Sequence, residues 1–272
     1  MSIGEIITNY WHWNITATFI IAGLILFHII TNGNRFTKKS INFFTGTALF
    51  FLLTFSPLNF LGHYYLFSAH MIQHIILLLI VPPLLITGTD KEYLIKLFSK
   101  PKYKRTGSFL FHPVIAWILG VLSMWVWHAP IFFKAMMQST SIHIVEIVSL
   151  LIFGIIFAWP VFTPINLRKL NPLSASLYLF SACIGCTILG ILITFAPAGY
   201  YSIYMAGNNS VLLNFLHSGL GISPAVDQQA AGLIMWVPAC IIYLTIIMIL
   251  MARWYNKPDE EKEDMTDNLH LP

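Results

Sequence analysis

The chain has 272 residues, of which 57% are hydrophobic and only 10% are charged. A soluble globular domain carries roughly 25% charged residues, so this composition excludes an ordinary soluble fold and indicates a membrane protein. The net charge of +4 requires no nucleic-acid partner, because the basic residues fall in loops on one side of the predicted membrane.

Seven apolar stretches are each long enough to cross roughly 30 Å of hydrocarbon as a helix. In chain order they are approximately Trp13–Ile30, Ile41–Leu58, Phe67–Thr87, His112–Trp127, Ile142–Phe162, Ser174–Ala196 and Gly232–Trp254. The sequence therefore predicts an all-α, polytopic membrane protein with a seven-transmembrane-helix bundle. We expect residues 1–256 to form the bundle and residues 257–272 to form a short polar tail.

The loops between these stretches predict the orientation. With seven spans, fourteen of the fifteen lysine and arginine residues fall on one side, and only Lys134 falls on the other. Basic residues are retained on the cytoplasmic side of the membrane. We therefore expect the amino terminus outside and the carboxy terminus in the cytoplasm.

This orientation assigns six of the ten histidines to the outer face. They are His63, His70, His74, His128, His143 and His217. Imidazole is costly inside hydrocarbon, and ionisable groups there usually line a cavity, pair with each other or bind something. The grouping predicts a metal site at the outer end of the bundle.

The third span begins with the clearest ligand pair. His70 and His74 are four residues apart and therefore stack on one helix face, where they can share an ion. On a soluble amphipathic helix such a pair would more often be a solvated face, but here the chain continues into the apolar run 75–85. Met71 and Gln73 lie between the two histidines and are candidate supporting residues.

The fourth and fifth spans each add a pair at helical spacing. Met124 and His128 are four apart, which predicts a thioether and an imidazole on one face. The alternative for His128 is a helix C-terminal histidine that interacts with free carbonyls. His143 and Glu146 are three apart. Glu146 is predicted to ligate the metal or to orient a histidine ligand, and the alternative is a structural hydrogen bond.

A long outer loop is predicted from residue 197 to residue 231. It carries His217 and ends near Asp227, which we expect to cap the seventh helix. Gln228 and Gln229 are unusual polar residues at the start of an apolar span, and we expect them to face the cavity. A loop of this length in a compact domain is typically functional.

Three cysteines lie within the last two spans. Cys183 and Cys186 share one helix face, and Cys240 belongs to the seventh span. The first interpretation is that they are small packing residues between helices. The second is a thiol relay for a soft ion such as Cu(I).

Six short motifs, in order between roughly residues 60 and 240, carry a resemblance to a known family. They are Leu61-Gly62-His63, Ser68-Ala69-His70-Met71-Ile72-Gln73, Val81-Pro82-Pro83-Leu84-Leu85, His128-Ala129-Pro130, Ala158-Trp159-Pro160 and Asp227-Gln228-Gln229-Ala230-Ala231-Gly232. In this set the chain resembles the multi-spanning CtaG family of bacterial cytochrome c oxidase assembly factors.

The resemblance implies a multi-pass protein of the bacterial plasma membrane that helps to mature the copper-containing subunits of a haem–copper oxidase. His63, His70, His128, His143 and the Asp-Gln-Gln run fall on recurring family positions, and His74 does so in many members. The chain departs from the family where members often show another histidine shortly after His143. Here Glu146 is a candidate substitute.

We therefore expect copper handling rather than catalysis, with copper as Cu(I) or Cu(II) and zinc as the weaker candidate. Imidazole suits copper, and methionine adds a soft ligand for Cu(I). His70 and His74, with His128 or His143, would hold one ion, and His63 and His217 would gate it or hand it over. The expected partners are haem–copper oxidase subunits, a periplasmic or extracellular copper chaperone and the lipid bilayer.

Two other functions remain open at this stage. A membrane zinc hydrolase acting on lipid would need three metal ligands, an open water position and a general base, for which Glu146 or Asp227 would serve. A haem-binding membrane cytochrome would need axial histidines from facing helices.

Overall fold

The computed structural model describes residues 3–32, 37–197, 200–201 and 210–256. These residues form α-helices and two π-helical turns, without a strand, so the predicted all-α fold is confirmed. The helices are α1 Ile3–Asn9, α2 Ile15–Asn32, α3 Lys38–Phe55, α4 Pro57–Tyr64, α5 Phe67–Ile75, α6 Val81–Gly88, α7 Lys91–Phe98, α8 Pro101–Leu110, α9 Pro113–His128, α10 Pro130–Gln138, α11 Thr140–Phe162, α12 Pro172–Phe195, α13 Ser210–Asn214 and α14 Pro224–Tyr255. The predicted tail, 257–272, lies outside the described residues.

Five helical segments of the described chain are long and apolar enough to cross a membrane. They are α2, the continuous segment Phe67–Gly88, α11, α12 and α14. Two bent pairs also qualify when each pair is taken together, α3 with α4 at 50° and α8 with α9 at 57°. The described chain therefore has five to seven candidate spans, and the predicted seven corresponds to counting each bent pair as one span.

Proline causes both bends. Ser56 precedes Pro57 and His112 precedes Pro113, and both residues have extended ψ angles, 166° and 127°. A residue before proline is disfavoured in the helical region, so the helix ends and restarts in a new direction. The predicted second span, 41–58, is consequently broken near its end, where α4 leaves the direction of α3 by 50°.

A π-helical turn at Ile76–Ile80 separates α5 from α6, whose second and third residues are Pro82 and Pro83. A proline inside a helix clashes with the carbonyl four residues earlier and removes a hydrogen bond. The wider turn accommodates this loss without breaking the span. It also sets the rotation of α5, which carries His70 and His74, relative to α6.

Two glycines allow α12 and α14 to cross at close range. A Cβ added to Gly190 would lie 2.6 Å from Cβ of Trp236, and one added to Gly232 would lie 2.6 Å from the backbone nitrogen of Thr194. Small residues permit such backbone approaches between membrane helices. In the same interface between α12 and α14, the sulfurs of Cys183 and Cys240 lie 2.9 Å apart.

The predicted loop from 197 to 231 ends earlier than expected. Helix α14 begins at Pro224, and Ser223 is its N-cap, accepting a hydrogen bond from the Val226 N–H. A short helix, α13, and a π-helical turn at Phe215–Gly219 occupy part of the remaining stretch. The prediction that Asp227 caps its own helix is therefore wrong, because Asp227 already lies one turn inside α14.

Candidate metal centre

Four helices bring five of the six predicted histidines together at one end of the bundle, which we call the histidine end. His63 comes from α4, His70 and His74 from α5, His128 from the last turn of α9, and His143 from the first turn of α11. Glu146 lies one turn below His143. All six side chains are at most 4% exposed.

His70, His74 and Glu146 form the centre of this cluster. One ligand atom from each residue lies within 4.8 Å of the other two, and no other group of three such ligands occurs in the described ranges. The Nε2 atoms of His70 and His74 lie 3.3 and 3.1 Å from the same carboxylate oxygen, Oε1 of Glu146. His70 and His74 therefore share one face of α5, as their four-residue spacing predicts, and a different helix contributes the carboxylate.

An ionised Glu146 requires a positive charge close to it. Its side chain is fully buried, and a buried carboxylate is very costly unless it is paired. Every lysine and arginine among the described residues is exposed. The compensating charge must therefore come from a protonated histidine of the cluster or from a bound cation.

The hydrogen bond of His128 defines which of its two ring nitrogens carries the hydrogen. Its Nδ1 lies 2.6 Å from the backbone oxygen of Met124, and because a carbonyl only accepts, Nδ1 is the donor. In the neutral ring, Nε2 then carries a lone pair, and it lies 3.2 Å from the sulfur of Met71. An imidazole nitrogen and a thioether thus point at each other, a donor set that suits a soft cation.

This arrangement corrects the predicted pairing of Met124 with His128. Met124 contacts His128 through its backbone oxygen, one turn earlier in α9. The thioether that faces the imidazole comes from Met71 on the neighbouring helix, where it is fully buried. The ring of His128 lies 5.3 Å from that of His74, which connects the Met71–His128 pair to the centre.

His63 and His143 stack on each other beside the centre. Their ring centroids are 4.0 Å apart at 14°, and the His143 ring lies 6.3 Å from that of His70. Gly62 allows α4 to approach α5 closely, because a Cβ there would lie 3.0 Å from the His70 backbone nitrogen. Among the described atoms, Nδ1 of His63 and Nε2 of His143 are buried without a hydrogen-bond partner.

Asp227 holds the start of α5 in place. Its carboxylate accepts hydrogen bonds from the N–H of Phe67 (2.6 Å), the N–H of Ser68 (3.1 Å) and the hydroxyl of Ser68 (2.5 Å). The first N–H groups of a helix have no partner within it, and Leu66, the N-cap of α5, offers no side-chain acceptor. Asp227 therefore caps the helix that carries His70 and His74.

Two glutamines replace hydrogen bonds that prolines cannot make. Nε2 of Gln73 donates to the Leu53 carbonyl at 2.5 Å, whose partner four residues later would be Pro57. Nε2 of Gln228 donates to the Ile193 carbonyl at 3.3 Å, whose partner would be residue 197, also a proline. Proline has no N–H, so each glutamine satisfies a carbonyl that the chain leaves open.

The remaining predicted residues lie elsewhere. Gln229 is exposed, so the expectation that it faces the cavity is wrong. His217 is half-buried in the π-helical turn and does not belong to the group of ligand atoms. Tyr201 was not predicted as a site residue, but its hydroxyl donates to the His128 carbonyl at 3.0 Å. Burial, with Tyr200 nearby, raises the pKa of Tyr201 to about 12, so this hydroxyl stays protonated.

Comparison with known proteins supports the resemblance noted in the sequence. A family model described as cytochrome c oxidase caa3 assembly factor (Caa3_CtaG) matches residues 33–257, which include every histidine of the cluster. No curated protein and no solved structure matches the chain.

Proposed function

The chain belongs to the cytochrome c oxidase caa3 assembly factor family, and on that premise we propose that it assists assembly by holding a copper ion as cargo. His70, His74 and Glu146 would hold the ion, and His128 and Met71 would complete its surroundings. The chain would then pass the ion to a copper-containing subunit of the oxidase, without catalysing a reaction of its own.

The fully buried Glu146 between two imidazoles is the observation that carries this proposal. The described lysines and arginines are all exposed and supply it with no counter-charge, whereas a copper ion would supply one directly. A carboxylate and imidazoles suit several divalent metals, but a buried thioether favours copper over zinc. The contact between Met71 and His128 therefore supports copper specifically.

The origin of the ligands fits a site that must release its ion. His70 and His74 come from α5, Glu146 from α11 and His128 from α9. A small displacement of one helix against another would separate these donors without unfolding any of them. A structural site, in contrast, is normally closed by four fixed ligands.

The distribution of charge supports a site on the outer face of the plasma membrane. The basic helices α7 and α8, which include Lys91, Lys96 and Lys104, follow the span Phe67–Gly88 and therefore lie at the end opposite the histidines. Since basic residues are retained in the cytoplasm, the histidine end would face outward. An extracellular copper chaperone could then deliver the ion, and the oxidase subunits could receive it.

The geometry gives less support to the alternative functions. The imidazole rings contact one another at centroid distances of 4.0 to 6.3 Å, which leaves no slot for a haem macrocycle between them. For a zinc hydrolase, Glu146 would have to serve as general base, but its oxygen already lies against two histidine nitrogens. Asp227, the other candidate base, is occupied in capping α5.

Oxidase assembly in cells tests this proposal. A strain without the protein would be complemented with the wild type, with Glu146→Gln or with Glu92→Gln, which makes the same change at an exposed carboxylate. We expect Glu146→Gln to yield an oxidase that retains haem but lacks copper, and Glu92→Gln to restore the complete enzyme. A copper-replete oxidase in cells carrying Glu146→Gln would contradict the proposal.

A further inference from the structure

A cavity of about 570 Å³ opens at the histidine end, between the segment that leads into α2, helix α4 and the start of α11. Its rim includes His12, Tyr64 and Thr140, which are exposed, and its floor is formed by His63 and His143, which are buried. The cavity therefore runs from the protein surface to the histidine stack that adjoins the metal centre.

The floor of the cavity offers nitrogen donors that nothing else in the described structure uses. Nδ1 of His63 and Nε2 of His143 are buried and have no hydrogen-bond partner among the described residues. Buried polar groups of a native protein are nearly always satisfied. Both residues line this one cavity, and their two unsatisfied nitrogens indicate a ligand that enters by it.

The spacing of the rings connects this floor to the centre. Two imidazoles bound to one ion at about 2 Å place their ring centroids roughly 5–6 Å apart. The His143 and His70 rings are 6.3 Å apart, and His70 reaches Glu146 at 3.3 Å. An ion bound to His143 at the floor could therefore also bind His70, which belongs to the centre.

We propose that this cavity is the entrance for copper and that His63 and His143 form a transfer site between the protein surface and the metal centre. The inference rests on the proposed function and adds the route to it. The ion would first bind an imidazole of the floor, then gain His70 as it loses His63, and finally reach His74 and Glu146. No electron moves in these steps. On the way to the centre, a lone pair of one imidazole replaces that of another, and at the centre the ion displaces any proton held between Glu146 and the two histidines, which leaves to solvent.

The charge distribution gives the route a direction. The floor offers imidazole rings and no carboxylate, whereas the centre contains the carboxylate of Glu146. A cation gains Coulomb energy as it approaches a carboxylate in surroundings of low dielectric constant. The floor should therefore bind the ion weakly and briefly, and the centre should retain it.

The test measures the rate of copper uptake separately from the amount bound. Detergent-purified full-length protein is mixed with a coloured Cu(I)–bicinchoninate complex, and the loss of colour is followed in a stopped-flow instrument. Two variants address the route. His63→Phe retains a ring that stacks on His143 but removes the nitrogens, and Thr140→Trp narrows the exposed rim without removing any ligand.

We expect both variants to take up copper at least tenfold more slowly than the wild type, on the order of the effects seen when residues around a metal site are removed. Both should reach the wild-type end point, because the centre is intact. The matched control is Gln229→Trp, which adds the same ring at an exposed position that does not line the cavity. It should load at the wild-type rate.

The outcomes separate the route from the function. Uptake at the wild-type rate in both His63→Phe and Thr140→Trp, with one copper bound, would overturn the route alone. Loss of equilibrium binding in His63→Phe, with binding retained in Thr140→Trp, would make His63 a ligand of the resident ion and overturn the transfer site. Absence of copper binding in the wild type would overturn the proposed function, and the route with it.

Discussion

The cap that Asp227 places on α5 predicts a coupling between the last span and the metal centre. Replacing Asp227 by alanine removes the acceptor for the N–H groups of Phe67 and Ser68 and for the Ser68 hydroxyl. A buried donor left unsatisfied costs about 1–3 kcal/mol, and a lost negative charge at a helix N-terminus costs roughly 0.3–1 kcal/mol. With two backbone donors affected, Asp227→Ala should destabilise the protein by about 2–7 kcal/mol.

The effect should also reach copper binding, because His70 and His74 follow this cap within two turns. Removal of a residue that orients metal ligands typically weakens metal affinity by about 10–100-fold. Asp227→Asn keeps one carbonyl oxygen and should retain part of both properties. Gln229→Ala, two residues along the same helix but exposed, is the control and should stay within about 0.5 kcal/mol of the wild type.

The assay combines thermal unfolding in detergent with competitive Cu(I) titration on the same preparations. The expected order in both measurements is wild type and Gln229→Ala highest, Asp227→Asn intermediate and Asp227→Ala lowest. The reasoning would be refuted if Asp227→Ala unfolded and bound copper like Gln229→Ala, since the three hydrogen bonds would then contribute nothing. Lower stability with unchanged copper affinity would show that the cap does not position the ligands.

Three further substitutions test other contacts by thermal unfolding in detergent, and for Met71→Leu also by competitive Cu(I) titration. Gly232→Ala should prevent the close crossing of α12 and α14 and lower the unfolding temperature strongly. Gly23→Ala is the control and should leave the unfolding temperature unchanged, because there is open space around Gly23. Equal effects of the two substitutions would contradict the close crossing. Met71→Leu should change the free energy of unfolding by less than about 1.5 kcal/mol but weaken Cu(I) binding. Met124→Leu is the control and should bind Cu(I) like the wild type. Weaker binding in Met124→Leu alone would show that Met124, and not Met71, supplies the sulfur ligand. Gln73→Leu leaves a buried carbonyl at the end of α3 unsatisfied and should cost about 1–3 kcal/mol; an unchanged unfolding temperature would show that the amide is not needed there.

Helical periodicity and hydropathy were sufficient to predict which residues meet along one helix. The four-residue spacing of His70 and His74 placed them on one face, and the apolar run that follows them predicted their burial. Contacts between helices could not be predicted in this way, because they depend on how each helix is rotated about its axis and on the angle at which two helices cross. Glu146 was paired in the sequence with His143 on its own helix, yet its carboxylate faces His70 and His74 on α5.

Contacts between helices were also not predictable for the residues around the metal centre. Asp227 near a helix start suggested a cap for that helix, but Ser223 already fills this role, which leaves Asp227 available to α5. Gln73 and Gln228 could have been anticipated from Pro57 and the proline at 197, since each proline leaves a carbonyl open. Only the fold shows which side chain reaches it, because these partners are 20 and 35 residues away.

The most direct test of the account is the copper content of the purified protein. Full-length protein in detergent would be loaded with Cu(I), freed of excess metal and analysed by mass spectrometry. The wild type would be compared with a His70→Ala/His74→Ala double variant and with His112→Ala, a histidine outside the cluster. The account predicts one copper per chain in the wild type and His112→Ala, and none in the double variant. Undiminished copper in the double variant, or none in the wild type, would contradict it.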